Sequence, residues 1–192
     1  MQSTVVPIEF IDSLDEKKHI MLYYDDPECA RLVEFRFLKN GLARGESCIY
    51  ATDEDSGSVV LSLLRYGIPL ESFLSKKIQV FHIPPVSGTT EEILSHCKKQ
   101  ANRILFDVKK PFRVISRIVS DVSTEQGMSA ELEMEKMIHA CFEDFGGMLM
   151  CPYHISSIEK KNRLEWIQSL YSQHHAVIYL PKMAESGVIC PC

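Results

Sequence analysis

The chain has 192 residues, 45% of them hydrophobic and 24% charged, enough for one domain to enclose a core of its own. Its formal net charge of −5 argues against a nucleic-acid surface, and the four Lys pairs (Lys76-Lys77, Lys98-Lys99, Lys109-Lys110, Lys160-Lys161) fall at element ends and polar faces. No apolar run reaches the roughly 20 residues of a membrane helix, no secretory pattern opens the chain, and seven scattered cysteines fit buried thiols, so a cytoplasmic protein is expected.

Residues 1–17 read as a polar leader, residues 18–182 as a single α/β domain and residues 183–192 as a cysteine-containing tail. The domain opens with a short apolar strand, His19–Tyr24, followed by the acidic turn Asp25-Asp26-Pro27-Glu28. Asp26 is a favoured helix N-cap, Pro27 suits the first helical position and Glu28 the first turn, so a helix is predicted from about Pro27 to Leu42, ended by Gly41 and Gly45. Leu32, Val33, Phe35, Phe37, Leu38 and Leu42 make it apolar almost all round.

A second strand (Ser47–Ala51) leads to Asp53-Glu54-Asp55-Ser56, another helix cap, and a third (Lys77–Ile83) to a proline-rich loop. Thr89-Thr90-Glu91-Glu92 is a capping-box signature opening a long amphipathic helix. A strand around Phe112–Val119 ends at Ser120-Asp121, and Ala130–Phe142 is predicted helical, with Met134, Met137, Ile138, Cys141 and Phe142 on its inner face. Gly147–Cys151 is a strand broken by Pro152, Lys160–Gln173 a helix, and Ala176–Leu180 the last strand. This alternation predicts a three-layer α/β fold with a mostly parallel sheet of about six strands and helices on both faces.

Ligands of such sheets bind beyond the carboxyl ends of the strands, at the turns. In a nucleotide-binding unit the turn after the first strand is glycine-rich, and free N–H groups at the helix start hold phosphate. Here carboxylates stand in that place, where they would satisfy the N–H groups themselves and repel a polyphosphate.

HIMLYYDD, then FLKNGLARGESCIYATDED, then Gly67, and at the far end MLMCPYHISSI, Trp166 and HHAVIY resemble the sensory domain named MEDS, for methanogens, methylotrophs and the dichloromethane regulator DcmR, over roughly residues 18–180. The same stretch is similar to RecA-like ATPases of the circadian-clock type. Aligning Asn40-Gly41-Leu42 and Arg44-Gly45-Glu46 with that family places Ala30 at its phosphate-binding Lys, Arg31 at its magnesium-binding Ser/Thr, and Asp121 near its magnesium-holding acid. The resemblance implies a RecA-like fold with a degenerate P-loop, no catalysis, no cofactor, and a sensory or regulatory role in which a small molecule, such as a hydrocarbon derivative, is bound. With no DNA-binding domain expected beside the sensor, a protein partner or self-association would carry the output.

The expected ligand-binding residues are His19, Tyr23, Tyr24, Asp25, Asp26, Glu54, Asp121 and Cys151. Of Tyr23 and Tyr24, which point to opposite faces, one at most serves a given pocket. His19 is either a ligand contact or a strand-edge histidine satisfied by backbone. Two other readings concern Cys151-Pro152-Tyr153-His154: a reactive thiol beside His154, or a zinc pair Cys151 and His154 joined by His174-His175 or Cys190-Pro191-Cys192. A further alternative is an interaction module with a vestigial nucleotide site, since RecA-like relatives form rings and filaments.

Overall fold

Ile20, Met21 and Leu22 offer apolar side chains to both sides of a strand, the pattern of a parallel strand covered by helices on each face. In the computed structural model, which describes residues 6–182 and 186–190, they lie at the centre of β1 (His19–Tyr24). With β2 (Ser47–Thr52), β3 (Ile78–His82), β4 (Phe112–Ser116), β5 (Gly147–His154), β6 (Ala176–Leu180) and β7 (Gly187–Ile189), it forms one sheet in the order β3-β2-β4-β5-β1-β6-β7. All pairs are parallel except β6–β7. The sheet thus has seven strands rather than about six; the added one is a three-residue antiparallel edge, too short to show a period.

Helices α1 (Pro7–Ser13), α2 (Pro27–Ala43), α3 (Ser56–Arg65) and α4 (Leu70–Leu74) pack on one face of the sheet. Helices α5 (Thr90–Leu105), α6 (Glu125–Ala140), α7 (Phe142–Phe145) and α8 (Arg163–Tyr171) cover the other. Side chains along β1 alternate between them: Ile20, Leu22 and Tyr24 join the core under α2, while Met21 and Tyr23 face α6 and α8. The leader contributes Phe10, Ile11 and Leu14 to the α2 core.

Three helix starts form as their sequences predict. Asp26 accepts from the N–H groups of Glu28 and Cys29, Asp55 from that of Ser58, and Thr89 with Glu92 closes a capping box. Two glycine and proline readings change. Gly41 lies inside α2, where a Cβ would stand 2.7 Å from Cδ of Arg113, so it permits close packing and Gly45, with φ +79°, makes the turn. Pro152 does not break β5. Strand β4 pairs with β5 only as far as Ile115 opposite Met150, so at Pro152 the β4 side asks for no N–H and the β1 pairing continues to His154.

The buried face of α6 also differs. Met137 and Cys141 are exposed, and Glu131 and Glu135 are buried beside Met128, Leu132 and Met134. The helix is rotated from the orientation that its apolar residues alone would choose.

Under α2 a second set of charges is enclosed. Arg113 of β4 is fully buried, donates to Glu46 at 2.6 Å and to the Phe37 carbonyl at 3.0 Å, and lies over the Phe37 ring. Breaking a buried ion pair on one side leaves an uncompensated charge and costs about 3–5 kcal/mol. Glu46→Ala should therefore lower the unfolding free energy by about that amount in urea titrations, against well under 1 kcal/mol for removing the exposed Lys136–Glu133 pair.

Candidate functional site

The chain leaves β1 and β2 toward one face (α2, α3) and β4 and β5 toward the other (α6, α8), so a crevice opens above the carboxyl ends of these four central strands. It is a cleft of about 220 Å³, lined among others by Tyr24, Asp53, Glu54, Arg117, Tyr153 and His154. Arg117, just past β4, is held by Glu34 and by the Tyr50 hydroxyl at 3.0 Å; Tyr50 in turn donates to Glu34 at 2.6 Å. Glu54 pairs with Arg31 of α2, and His154 receives the Ser156 N–H at Nδ1 while its Nε2 lies 3.0 Å from the Asp25 carbonyl.

The floor of the cleft continues inward. Glu131 and Tyr153 line it and are at once the outer members of a buried polar column between α6 and the sheet. The Tyr153 hydroxyl lies 2.5 Å from Oε1 of both Glu131 and Glu135, which are one helical turn apart. A hydroxyl has one hydrogen to give, so a proton on one of the two carboxyls completes the set. Burial, reinforced by the neighbouring Glu135, pushes Glu131 up to about 8, which makes it the protonated partner. Burial also acts to raise Glu135, but the facing His174 and His19 outweigh it and hold that carboxyl low.

Deeper still, Glu135 Oε2 is 3.0 Å from Nε2 of His19 and 3.6 Å from Nε2 of His174, and His19 Nε2 is 3.4 Å from Sγ of Cys151. His19 reaches this place because the alternation of β1 turns it to the α6 face, and at the strand start its N–H donates to Nδ1 of His175 while its carbonyl accepts from the His175 N–H. Burial pushes His174 down to about 4, so it is neutral near pH 7. The Cys151 thiol is pushed well above its ordinary range, first by burial and then by Glu135.

The family described as MEthanogen/methylotroph, DcmR Sensory domain (MEDS) matches residues 18–169. The chain belongs to this family. Among curated proteins no sequence matches. Among solved structures the fold is similar to that of a KaiC-like protein of the hyperthermophilic archaeon Pyrococcus horikoshii OT3, with a TM-score of 0.57 and 12% identity over 90% of this chain and 77% of that one. The MEDS domain is therefore a sensory module on a RecA-like α/β scaffold.

In this MEDS domain the sequence-predicted residues separate into three places. Tyr24 and Glu54 line the cleft, and His19 and Cys151 are in the buried column. His19 does not share a pocket with Tyr24: it opens β1, five residues and about 16 Å from the strand's carboxyl end. Tyr23 faces away toward Tyr179, Asp26 caps α2, the Asp121 carboxylate is taken up by Ser123, and the side chain of Asp25 lies outside the cleft lining.

The pairing of Cys151 with His154, as thiol and base or as zinc ligands, is corrected: residues three apart on a strand point to opposite faces, and His154 stacks edge-on against Tyr24. Nor is Cys151 an activated thiol, given its burial and raised pKa. Cys190 is exposed, and Cys192 lies outside the described residues.

Glu131, Glu135, Tyr153 and Arg117 carry the site without having been singled out by sequence. The one available signal was a pair of Glu at i and i+4 embedded among Leu132, Met134 and Met128. Removing the hydroxyl they share should leave two buried carboxyls short of a partner, at about 1–3 kcal/mol each. Tyr153→Phe is accordingly expected to lower stability by about 2 kcal/mol or more in urea, although a single oxygen is lost.

Proposed function

We propose that this sensory domain binds a small hydrogen-bonding molecule in the cleft above β1, β2, β4 and β5, and that it does so as a cytoplasmic regulator without hydrolysing nucleotide. The observation that carries the reading is the cleft itself, which stands at the topological switch of the sheet and is lined by Tyr24, Asp53, Arg117, Tyr153 and His154. Its volume of about 220 Å³ is below the range of drug-sized pockets and favours a ligand of few carbon atoms. The polar lining favours an oxygen- or nitrogen-bearing hydrocarbon derivative over a bare hydrocarbon.

Nucleotide binding is disfavoured by the start of α2. Backbone N–H groups there are engaged by Asp26, Glu28 adds a second carboxylate, and Ala30 and Arg31 stand where RecA-like ATPases need Lys and Ser/Thr. A protein partner or self-association then carries the output.

A panel of one- to four-carbon alcohols, diols, amines and carboxylates, with Mg-ATP alongside, tests this by thermal shift and calorimetry. At least one chemical class should raise the melting temperature, and Asp53→Asn combined with Ser116→Val, two residues of the cleft lining, should weaken its binding about tenfold or more, or ~1.4 kcal/mol. A panel without effect, or binding indifferent to those cleft substitutions, would overturn the assignment, and stabilisation by Mg-ATP alone would return the site to nucleotide.

A further inference from the structure

Four elements each send one donor to a common point under the sheet: His19 from the start of β1, Glu135 from α6, Cys151 from β5 and His174 from the turn between α8 and β6. One ligand atom from each lies within 4.8 Å of all the others, and the four residues are at most 3% exposed. Tetrahedral zinc, with bonds of about 2.0–2.2 Å to N and O and 2.3 Å to S, spaces its ligand atoms about 3.3–3.6 Å apart. The contacts here are 3.0, 3.4 and 3.6 Å. Three of the six spacings are thus near those of the ion, and the others, at no more than 4.8 Å, need to close by about 1 Å at most.

The donors are also aimed. Nδ1 of His19 lies 3.0 Å from the Gln173 carbonyl and Nδ1 of His174 lies 2.7 Å from that of Leu170. Carbonyls only accept, so each Nδ1 carries a hydrogen, and the neutral form of each ring presents its Nε2 lone pair to the cluster. That is how metal-binding histidines are oriented from their second nitrogen. Tyr153 engages Oε1 of Glu135 and leaves Oε2 facing inward. His174 Nε2 and Glu135 Oε2 are buried with no hydrogen-bond partner, and even the 3.0 Å approach of His19 to Glu135 lacks hydrogen-bond alignment. The Cys151 S–H, 3.4 Å from His19 Nε2, supplies one proton, but the lone pairs of Glu135 Oε2 and His174 Nε2, 3.6 Å apart, repel unless a cation stands where they converge.

We propose that His19, Glu135, Cys151 and His174 hold one divalent transition-metal ion, zinc by the nature of the donors, in a closed structural site. Two imidazoles, a thiolate and a carboxylate carry a charge of −2, so a divalent ion makes the buried centre neutral. Binding replaces the Cys151 S–H by an S–metal bond and releases that proton to solvent. With all four positions filled by protein the ion has no open coordination site, and its role is to fix β1, β5, α6 and the α8–β6 turn together. The proposal is independent of what occupies the cleft.

Metal analysis of the full chain, purified without a histidine tag, should find about one zinc per chain. Cys151→Ser with His174→Gln should lose it, while Cys141→Ser, which alters an exposed thiol, should keep it. Should the double variant fail to fold, the wild type still decides. After chelation it should take up one cobalt ion and show tetrahedral ligand-field bands with a thiolate charge-transfer absorption. Wild-type protein that is folded and metal-free and that takes up neither ion would overturn the proposal, as would a cobalt spectrum without the thiolate band, or an ion retained in a folded double variant.

Discussion

Two carboxyl groups one helical turn apart, Glu131 and Glu135, are kept out of water beneath a parallel sheet, and the arrangement of that face follows from satisfying them. An unpaired buried carboxylate costs several kcal/mol, whereas a helix rotated to bury one more methionine gains only about 1.5–3 kcal/mol. Partners must therefore come to the carboxyls, and they come from distant parts of the chain. Tyr153 requires β5 to run on past Pro152, His19 requires β1 to begin on the α6 face, and His174 requires the turn after α8 to fold inward. Exposure of Met137 and Cys141 is the other side of the same bargain, since the helix cannot bury both stripes.

On the opposite face the same logic runs through ion pairs. Arg113, fully buried, pairs with Glu46, and Arg117, half-buried, pairs with Glu34, each cation matched by a carboxylate from or just beyond α2. Arg113 needs Gly41 beside it, because any larger residue there would meet its side chain. Arg117 stands at the rim of the cleft, so this network sets the position of the cation that faces it. At the start of α2 the Asp26 carboxylate takes up the N–H groups of Glu28 and Cys29, so this helix end is satisfied from within the chain.

The fold was largely legible because its signals are local. Apolar runs such as Ile20–Leu22 and caps such as Asp26, Asp55 and Thr89 act within a turn or a strand of themselves, and the MEDS resemblance ordered them. Failures came where a partner decides. Pro152 reads as a breaker until the end of β4 shows that its missing N–H faces no acceptor. Hydrophobic periodicity ranks residues by apolarity, so it turned Met137 inward and passed over Glu131 and Glu135, which are brought inside by contacts from β1, β5 and the turn between α8 and β6. His19 and His174 are separated by most of the chain, and no spacing rule joins them. Cys151 and His154 illustrate the converse, a ligand-like spacing in sequence that the strand's own alternation pulls apart.

Glu131 and Tyr153 belong both to the cleft and to the column, which ties the two ends of the site into one system. The Tyr153 hydroxyl has a single hydrogen, and its direction sets which carboxyl is the acceptor. An occupant of the cleft that takes a hydrogen bond from Glu131, or gives one to it, changes how strongly that carboxyl competes for the hydroxyl, and so changes what Oε1 of Glu135 receives. Were both proposed sites filled, coupling of this kind would be reciprocal: whatever factor the inner site imposed on binding in the cleft, the cleft would impose on the inner site. The element that both would bias is α6, which carries Glu131 toward the cleft and Glu135 toward His19, Cys151 and His174. A helix held by a small number of strong buried contacts answers a local change more sharply than one held by many weak ones. Losing one such contact shifts its balance by a large step.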